Sequence, residues 1–353
     1  MTASDEAEDG HEPILRIAVA GFGSMGRNHV RNLAARHDVR IVAVADPEES
    51  ARLEAAHQIA DVATFADPHQ MLASIAMDAI VVAIPTTLHS GVAIDAIERH
   101  VAVLVEKPIA PTVAEGRRMV EAAKANDVLL QVGHIERFNP AILALEQYKI
   151  RPLFIESHRL AQFNPRGSDV AVVLDLMIHD IDLILSLVKS RVVRVDANGV
   201  SVVSGSEDIA NARLQFENGC VANVTASRIS QNTMRKMRLF QNDAYISIDF
   251  SQGFSEVFRL VDEGDPNVKP TMMLGKIDQG SRKRIIVYER PEVKEVNSLK
   301  YELELFAKSI QDGTEPPVTG RDGLQALEVA QEILKMIAAN TAQLLGAQQK
   351  MDM

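Results

Sequence analysis

The pattern of apolar and polar positions divides the chain into two parts. From Ile14 to about Gly133, short apolar runs alternate with longer amphipathic stretches, and the runs include LRIAVAG, VRIVAVAD and DAIVVAIP. Alternating strands and helices predict a parallel, doubly wound sheet, whose strands are continuously apolar because helices cover both faces. We therefore predict a Rossmann-type domain over residues 14–133.

The second part of the chain has a shorter period. Between residues 150 and 290 apolar and polar residues alternate, as in NARLQFENGCVANVTASRIS, where Asn218 and Gly219 suit a hairpin turn. This alternation predicts antiparallel strands with one buried face. Helical patterns occur at VVLDLMIHDIDLILSLV and in two stretches near the end of the sequence. The chain is thus predicted to be an α/β protein, with a second α/β domain over residues 134–353 that contains an open, mainly antiparallel sheet.

Composition and charge narrow the classes of function. The 353 residues suit two domains, and the net charge of −11 without a long basic run disfavours nucleic acid or an anionic membrane as a partner. The single cysteine, Cys220, excludes an intrachain disulfide and a thiolate metal cluster. Residues 1–13 are acidic, unlike a signal peptide, and no apolar run approaches the ~20 residues of a membrane helix. We expect a disordered acidic tail over residues 1–13 and a cytoplasmic protein.

A glycine-rich motif, GFGSMG, lies between the first predicted strand and helix. Gly21, Gly23 and Gly26 would allow a tight turn in which backbone N–H groups at the helix N-terminus approach a pyrophosphate. Asp46 ends the second strand, where its carboxylate would accept hydrogen bonds from the adenosine ribose. Acidic residues follow Asp46 without an adjacent Lys or Arg, which favours NAD over NADP. A strand-to-helix turn without a ligand is the alternative.

The motif VEKP places Lys107 at the carboxyl end of the fifth predicted strand. Ligands bind at this end of a parallel sheet, and an ammonium group can hydrogen-bond a reacting hydroxyl. Taken alone, this motif favours a solvated lysine in a strand-end loop.

The motif DLMIHDID adds polar residues to an otherwise apolar helix. Asp175, His179 and Asp182 follow an i, i+4, i+7 spacing, which places them on one helical face. A carboxylate one turn before a histidine can fix the imidazole tautomer and raise its basicity. One alternative is a histidine satisfied within the core. A metal site is a further alternative, which the lack of soft ligands disfavours, and we predict none.

Two further motifs supply candidates for substrate binding near the predicted domain junction. GHIERFNP contains His134, Arg137 and Asn139, and HRLAQFNPRGSD contains Arg159 and Arg166. Arginine can bind phosphate oxygens in a bidentate way. A polar linker and a solvated loop are the alternatives.

The chain resembles the glucose–fructose oxidoreductase, inositol dehydrogenase and MocA family of NAD(P)-dependent dehydrogenases. The resemblance rests on six features that occur in the same order: AGFGSMG, Asp46, PTTLH, VEKPIA, GHIERFNP and LDLMIHDIDL. The resemblance implies that Lys107 and His179 flank the oxidised carbon, that Asp175 binds or orients the substrate, and that the large sheet forms the interface of a homo-oligomer. The residues expected to bind NAD are Gly21, Gly23, Ser24, Met25, Gly26, Asp46, Pro85, Thr86, His89, Glu106 and Lys107.

Within this family, the motifs around GHIERFNP, FNPR and LDLMIHDIDLIL most resemble those of UDP-N-acetylglucosamine 3-dehydrogenases. The resemblance implies oxidation of the sugar 3-hydroxyl to a ketone, on which a partner aminotransferase would act in lipid A or surface saccharide synthesis. Arg166 is then the preferred ligand of the diphosphate. An inositol or free-hexose dehydrogenase is the alternative enzyme. A non-catalytic NAD-binding regulator is disfavoured because Lys107 and His179 are both present.

Overall fold

The computed structural model describes residues 14–164, 170–263, 272–279 and 282–351. These residues form two compact units. The first contains residues 14–106, 118–131 and 303–317, and the second contains residues 107–117, 132–302 and 318–351. The chain passes from one unit to the other after residues 106, 117, 131, 302 and 317.

A six-stranded sheet has the order β3-β2-β1-β4-β5-β6. Neighbouring strands from β3 through β2, β1 and β4 to β5 pair in parallel. Its strands are β1 Leu15–Ala20, β2 Val39–Ala45, β3 Ala63–Phe65, β4 Ala79–Val82, β5 Ala102–Glu106 and β6 Leu130–Gly133. The helices along this part of the chain are α1 Ser24–Ala34, α2 Glu49–Gln58, α3 Pro68–Ser74, α4 His89–Glu98 and α5 Val113–Asn126. All four residues of β4 are buried, as expected for a strand with helices on both faces. The predicted Rossmann-type architecture is confirmed.

A nine-stranded sheet has the order β14-β15-β13-β12-β11-β7-β10-β9-β8. Its strands are β7 Phe154–Leu160, β8 Val192–Val200, β9 Ile209–Phe216, β10 Val221–Ser227, β11 Met234–Phe240, β12 Ala244–Asp249, β13 Phe254–Asp262, β14 Met272–Gln279 and β15 Arg282–Glu289. β7 and β10 are parallel, whereas the other neighbours are antiparallel. Gly219, with φ +87°, turns the chain between β9 and β10 at the predicted hairpin.

One face of the nine-stranded sheet is buried. Leu214, Val224 and Met237 on this face belong to one apolar core with Ile181 and Ile333 of the helices. The helices in this part of the chain are α6 Pro140–Leu143, α7 Ile178–Val188, α8 Ser298–Asp312 and α9 Gly320–Met351. Among the described residues no helix is both long enough and apolar enough to cross a bilayer.

The other face of this sheet carries an aromatic row. The row crosses five neighbouring strands, and adjacent ring centroids are 5.0 to 5.7 Å apart. Its members are Phe154, Phe240, Tyr245, Phe258 and Tyr288. Phe240 is 36% exposed, and the other four side chains are half-buried.

The predicted helix VVLDLMIHDIDLILSLV is not uniform. Residues Val173–Met177 form a π-helical segment, and α7 begins directly after it at Ile178. A π-helix closes hydrogen bonds from i to i+5, so Asp175 lies in a segment that departs from the regular α-helix predicted for it.

Candidate active site

The glycine turn after β1 fits a dinucleotide phosphate site because two of its glycines allow no side chain. Gly21 has φ +91°, and a Cβ there would lie 2.3 Å from the carbonyl oxygen of Ala83. A Cβ on Gly26 would lie 1.9 Å from the carbonyl oxygen of Gly21. The first and third glycines therefore let the chain turn tightly against β4 and α1.

The middle of the same turn is open. A Cβ on Gly23 would meet nothing within 4 Å among the described residues, and Gly23, Ser24 and Met25 are exposed. Since α1 begins at Ser24, the N–H groups of its first turn have no partner within the helix. The exposed backbone thus provides donors that pyrophosphate oxygens can accept.

Asp46 follows β2 directly and is held by the backbone. Its carboxylate accepts hydrogen bonds from the Phe22 N–H at 2.7 Å and the Glu48 N–H at 2.9 Å. Each carboxylate oxygen can accept a further bond, and the side chain is only half-buried. Asp46 can therefore also accept ribose hydroxyl donors.

Two arginines lie near Asp46, although no basic residue is adjacent to it in the sequence. The Arg52 guanidinium donates to the carbonyl oxygens of Asp46 at 2.8 Å and Pro47 at 2.7 Å. Arg27 is bound to both carboxylate oxygens of Glu54, which raises its pKa, and the charge of Asp46 adds a smaller contribution. The helices α1 and α2 thus bring two cations near Asp46, although neither is adjacent to it in the sequence.

In PTTLH, Pro85 is exposed and Thr86 begins a short 3₁₀ turn, Thr86–Leu88. His89 is 1% exposed, and its Nε2 lies 2.9 Å from the carbonyl oxygen of Ile84. This contact connects the start of α4 to the end of β4. Cofactor contacts of Pro85, Thr86 and His89 remain predictions.

Glu106 ends β5, and its carboxylate lies 2.7 Å from Nε2 of His29, a fully buried residue of α1. The contact ties the strand that leads to Lys107 to the helix of the glycine turn. Sequence reasoning missed His29, although a histidine on the buried stripe of an amphipathic helix is a signal that calls for a partner. A cofactor contact of Glu106 remains a prediction.

Lys107 and Asp175 lie together within the second unit. The ammonium Nζ donates to the Asp175 carbonyl oxygen at 2.7 Å and lies 3.7 Å from its carboxylate Oδ1. The side chain of Lys107 is 20% exposed, and that of Asp175 is 37% exposed. The sequence interpretation paired Asp175 with His179, and the structure places Asp175 beside Lys107.

His179 is half-buried in α7, and its Nδ1 has no hydrogen-bond partner among the described residues. Burial, followed by the positive charges of Lys107 and Arg159, lowers the pKa of His179 well below its usual value, and His134 and Arg235 act in the same direction. The prediction that a carboxylate raises the basicity of His179 is therefore wrong. The imidazole is neutral at pH 7 and can accept a proton.

Arg159 belongs to a buried ion-pair cluster. Its guanidinium donates to Asp180 at 2.7 Å and to Glu136 at 2.9 Å, and the residue is 3% exposed. Burial alone would lower the pKa of Arg159, but the two carboxylates hold it above the usual value. Two carboxylates thus bind a guanidinium that solvent hardly reaches, and a substrate contact of Arg159 remains a prediction.

Arg137 and Asn139 have structural partners. Arg137 makes two hydrogen bonds of 2.7 Å to the carboxylate of Asp182, which is buried. The Asn139 side chain accepts from the Ala141 N–H at 3.1 Å and caps α6. Asp182 thus pairs with an arginine of GHIERFNP. Substrate contacts of Arg137 and Asn139 remain predictions.

His134 is fully buried and precedes a 3₁₀ turn, Ile135–Phe138. Its substrate contact also remains a prediction. Arg166 lies outside the described residues. Among the described residues, no group of three or more His, Cys, Asp or Glu side chains is arranged to hold a metal ion.

Sequence reasoning missed Glu136 and Arg235. Oε1 of Glu136 lies 2.9 Å from Arg159 and 3.8 Å from Arg235 on β11, so this carboxylate lies between two guanidinium groups. Glu136 stands within the GHIERFNP motif, but no local pattern identifies its partners. Strand register decides them, since β11 and β7 place Arg235 opposite Arg159.

Comparisons with known proteins identify the family. The model of an oxidoreductase family with an NAD-binding Rossmann fold matches residues 15–134, and the GFO/IDH/MocA C-terminal domain matches residues 152–253. UDP-N-acetylglucosamine 3-dehydrogenase of Acidithiobacillus ferrooxidans is 37% identical over 237 residues, which cover 67% of this chain and 74% of that protein.

A solved structure of UDP-N-acetylglucosamine 3-dehydrogenase from Acidithiobacillus ferrooxidans has a TM-score of 0.80 and 30% identity, and the match covers 92% of this chain and 98% of that chain. Inositol 2-dehydrogenase 2 of Paenarthrobacter aurescens is 28% identical over 338 residues, covering 92% of this chain and 96% of that protein. The glycine turn and Asp46 supply the fit to the dinucleotide, and the family matches extend across both parts of the chain. The chain is therefore an NAD-dependent oxidoreductase of the Gfo/Idh/MocA family.

Proposed function

We propose that this enzyme oxidises the 3-hydroxyl of UDP-N-acetylglucosamine to a ketone. The observation that carries the chemistry is the arrangement of Lys107 against Asp175 with a neutral His179 nearby. The choice of sugar rests on similarity to the Acidithiobacillus ferrooxidans enzyme.

In the proposed reaction the hydride goes to the cofactor, and two basic side chains act on the substrate hydroxyl. When bound, NAD accepts the carbon-bound hydrogen as hydride. His179 removes the hydroxyl proton, because its lowered pKa keeps the imidazole unprotonated at neutral pH. Lys107 donates a hydrogen bond from Nζ to the substrate oxygen and stabilises the negative charge that develops there. Asp175 holds the Lys107 ammonium through its backbone carbonyl oxygen.

An inositol dehydrogenase is the second candidate function. The similarity to inositol 2-dehydrogenase 2 favours it, because that match extends over 92% of this chain. The same acid–base pair would serve a ring hydroxyl of a cyclitol. A cyclitol carries no phosphate, so its oxidation would need no cation for an anionic group.

A substrate panel separates these candidates. Purified enzyme with NAD is offered UDP-N-acetylglucosamine, other UDP-sugars, inositols and free hexoses, and NADH formation is followed by absorbance. We expect the highest kcat/KM with UDP-N-acetylglucosamine, and a His179→Asn variant serves as the control for contaminating activity. Turnover of inositols or hexoses alone would refute the proposed sugar and leave the enzyme class intact.

The assembly that we propose is a cytoplasmic homo-oligomer. The aromatic row and the exposed Met272, which lies opposite Tyr288, place apolar surface on one sheet face, and burial against a second copy would remove it from water. A partner aminotransferase would consume the ketone. Light scattering at micromolar protein should give a dimer or larger, and Phe240→Glu should shift the mass towards the monomer. A wild-type monomer would contradict the proposed assembly.

A further inference from the structure

Four positively charged or titratable groups contribute to the lowered pKa of His179, and they differ in their exposure to solvent. Lys107 is bound to Asp175, Arg159 is 3% exposed between two carboxylates, and His134 is fully buried. The fourth, Arg235, has a side chain that is 52% exposed. Of the cations that lower the pKa of His179, Arg235 therefore has the most exposed side chain.

The register of two strands explains why Arg235 is weakly paired. Arg235 on β11 lies directly opposite Arg159 on β7, and like charges in this position repel each other. Glu136 lies between them, but its Oε1 is 2.9 Å from Arg159 and 3.8 Å from Arg235. Arg159 thus makes the shorter contact with Glu136. The contact between Arg235 and Glu136 is longer, and about half of the Arg235 side chain is exposed to solvent.

The orientation of Arg235 separates it from the other basic residues of β11. Met237 and Leu239 follow at alternate positions and are fully buried, so Arg235 lies on the face of the sheet that α7 covers. Lys236 and Arg238 lie on the opposite face and pair with Asp249 at 3.1 Å and Glu156 at 3.5 Å. Within β11, Arg235 is the basic residue directed to the His179 side.

We propose that Arg235 binds the phosphate oxygens of a nucleoside diphosphate in the substrate. This inference rests on the proposed function, and it assigns the diphosphate contact to a residue that the sequence motifs did not identify. An exposed guanidinium can offer two parallel N–H donors to phosphate. A diphosphate also needs a local cation in a chain of net charge −11.

The test measures binding of UDP itself. Full-length wild type and Arg235→Met are titrated with UDP by calorimetry in saturating NAD, so that the dinucleotide site is already filled. A charge-assisted hydrogen bond contributes about 1.5 to 3 kcal/mol, so Arg235→Met should weaken UDP binding roughly ten- to a hundredfold. Uridine, which lacks phosphate, should bind both proteins with the same low affinity.

Matched variants exclude indirect effects. Arg238→Met removes an arginine of similar exposure from the opposite face of the same strand, and UDP affinity should stay within about twofold of wild type. Arg235→Lys keeps the charge without the planar fork and should lose less affinity than Arg235→Met. Thermal melting and light scattering check that each variant is folded and keeps its assembly.

Two results would overturn the assignment of Arg235: UDP that does not bind to wild type, or UDP that binds equally well to folded Arg235→Met. Failure of the proposed function has a different signature. If wild type binds UDP through Arg235 but does not oxidise UDP-N-acetylglucosamine, the anion site stands and the proposed sugar does not.

Discussion

The glycine turn and the surroundings of His179 are built in different ways. Gly21 and Gly26 are required because a Cβ on either would collide with backbone, and one of these collisions is within the turn itself. Around His179, charged partners come from distant segments, as when Lys107 meets Asp175 and Arg159 meets Asp180. The first region is thus shaped by backbone geometry, and the second by the pairing of side-chain charges.

This difference predicts which substitutions each region does not tolerate. A backbone-built phosphate site depends on residues that cannot be enlarged, whereas one charged residue can alter every group in a network of ion pairs. Changes around His179 should therefore affect rate, stability and pH dependence together. Changes around Asp46 should affect the choice of cofactor.

The largest expected effect is on turnover. Lys107→Met and His179→Asn should each lower kcat by about 10² to 10⁴, because each removes one positioned acid–base group. Binding of NAD, measured by fluorescence titration, should stay within about threefold of wild type. Near-normal kcat in a folded variant would remove that residue from the proposed chemistry.

The next effect is on stability. Arg159→Met leaves the carboxylates of Glu136 and Asp180 without their main partner, and breaking such a buried pair costs about 3 to 5 kcal/mol. Arg16→Met is the control, since the Arg16–Asp78 pair lies at the surface, where solvent screens it, and its loss should destabilise the protein much less. Urea unfolding compares the two. Equal losses would show that burial does not distinguish these ion pairs.

A smaller effect concerns the preference for NAD over NADP. Asp46→Asn keeps an oxygen that can accept a backbone N–H but removes the charge that repels a 2′-phosphate, and Arg27 and Arg52 lie nearby. The ratio of kcat/KM values for NAD and NADP should fall about tenfold or more. Glu49→Gln, an exposed neighbour on α2, should leave the ratio unchanged. An unchanged ratio in Asp46→Asn would refute its role at the ribose.

The smallest effect is a shift in pH dependence. Because the pKa of His179 is lowered, the acid limb of kcat/KM should lie below about pH 6.5. Arg235→Met removes a positive charge that disfavours protonation, so the limb should move to higher pH, by up to about one unit. Initial rates between pH 5 and 8 measure it. A limb that moves to lower pH would contradict this electrostatic account.

Local patterns predicted much of the fold. The continuous apolar run of β1 indicated a strand covered on both faces, and Asn218–Gly219 indicated the hairpin between β9 and β10. Both features depend on neighbouring residues and on the strand period. The π-helical segment around Asp175 has no such local signature, and a regular helix was therefore predicted there.

The sequence by itself determined the α/β class, the family, the glycine turn and the residue types available for hydride chemistry. Only the tertiary structure decided that Asp175 pairs with Lys107, that Arg159 is buried between carboxylates and that Arg235 remains accessible. The physical reason is that glycine conformation and strand period act over a few residues. Ion pairing, burial and the resulting pKa of His179 depend on strand register and helix phase, which bring together residues distant in the chain.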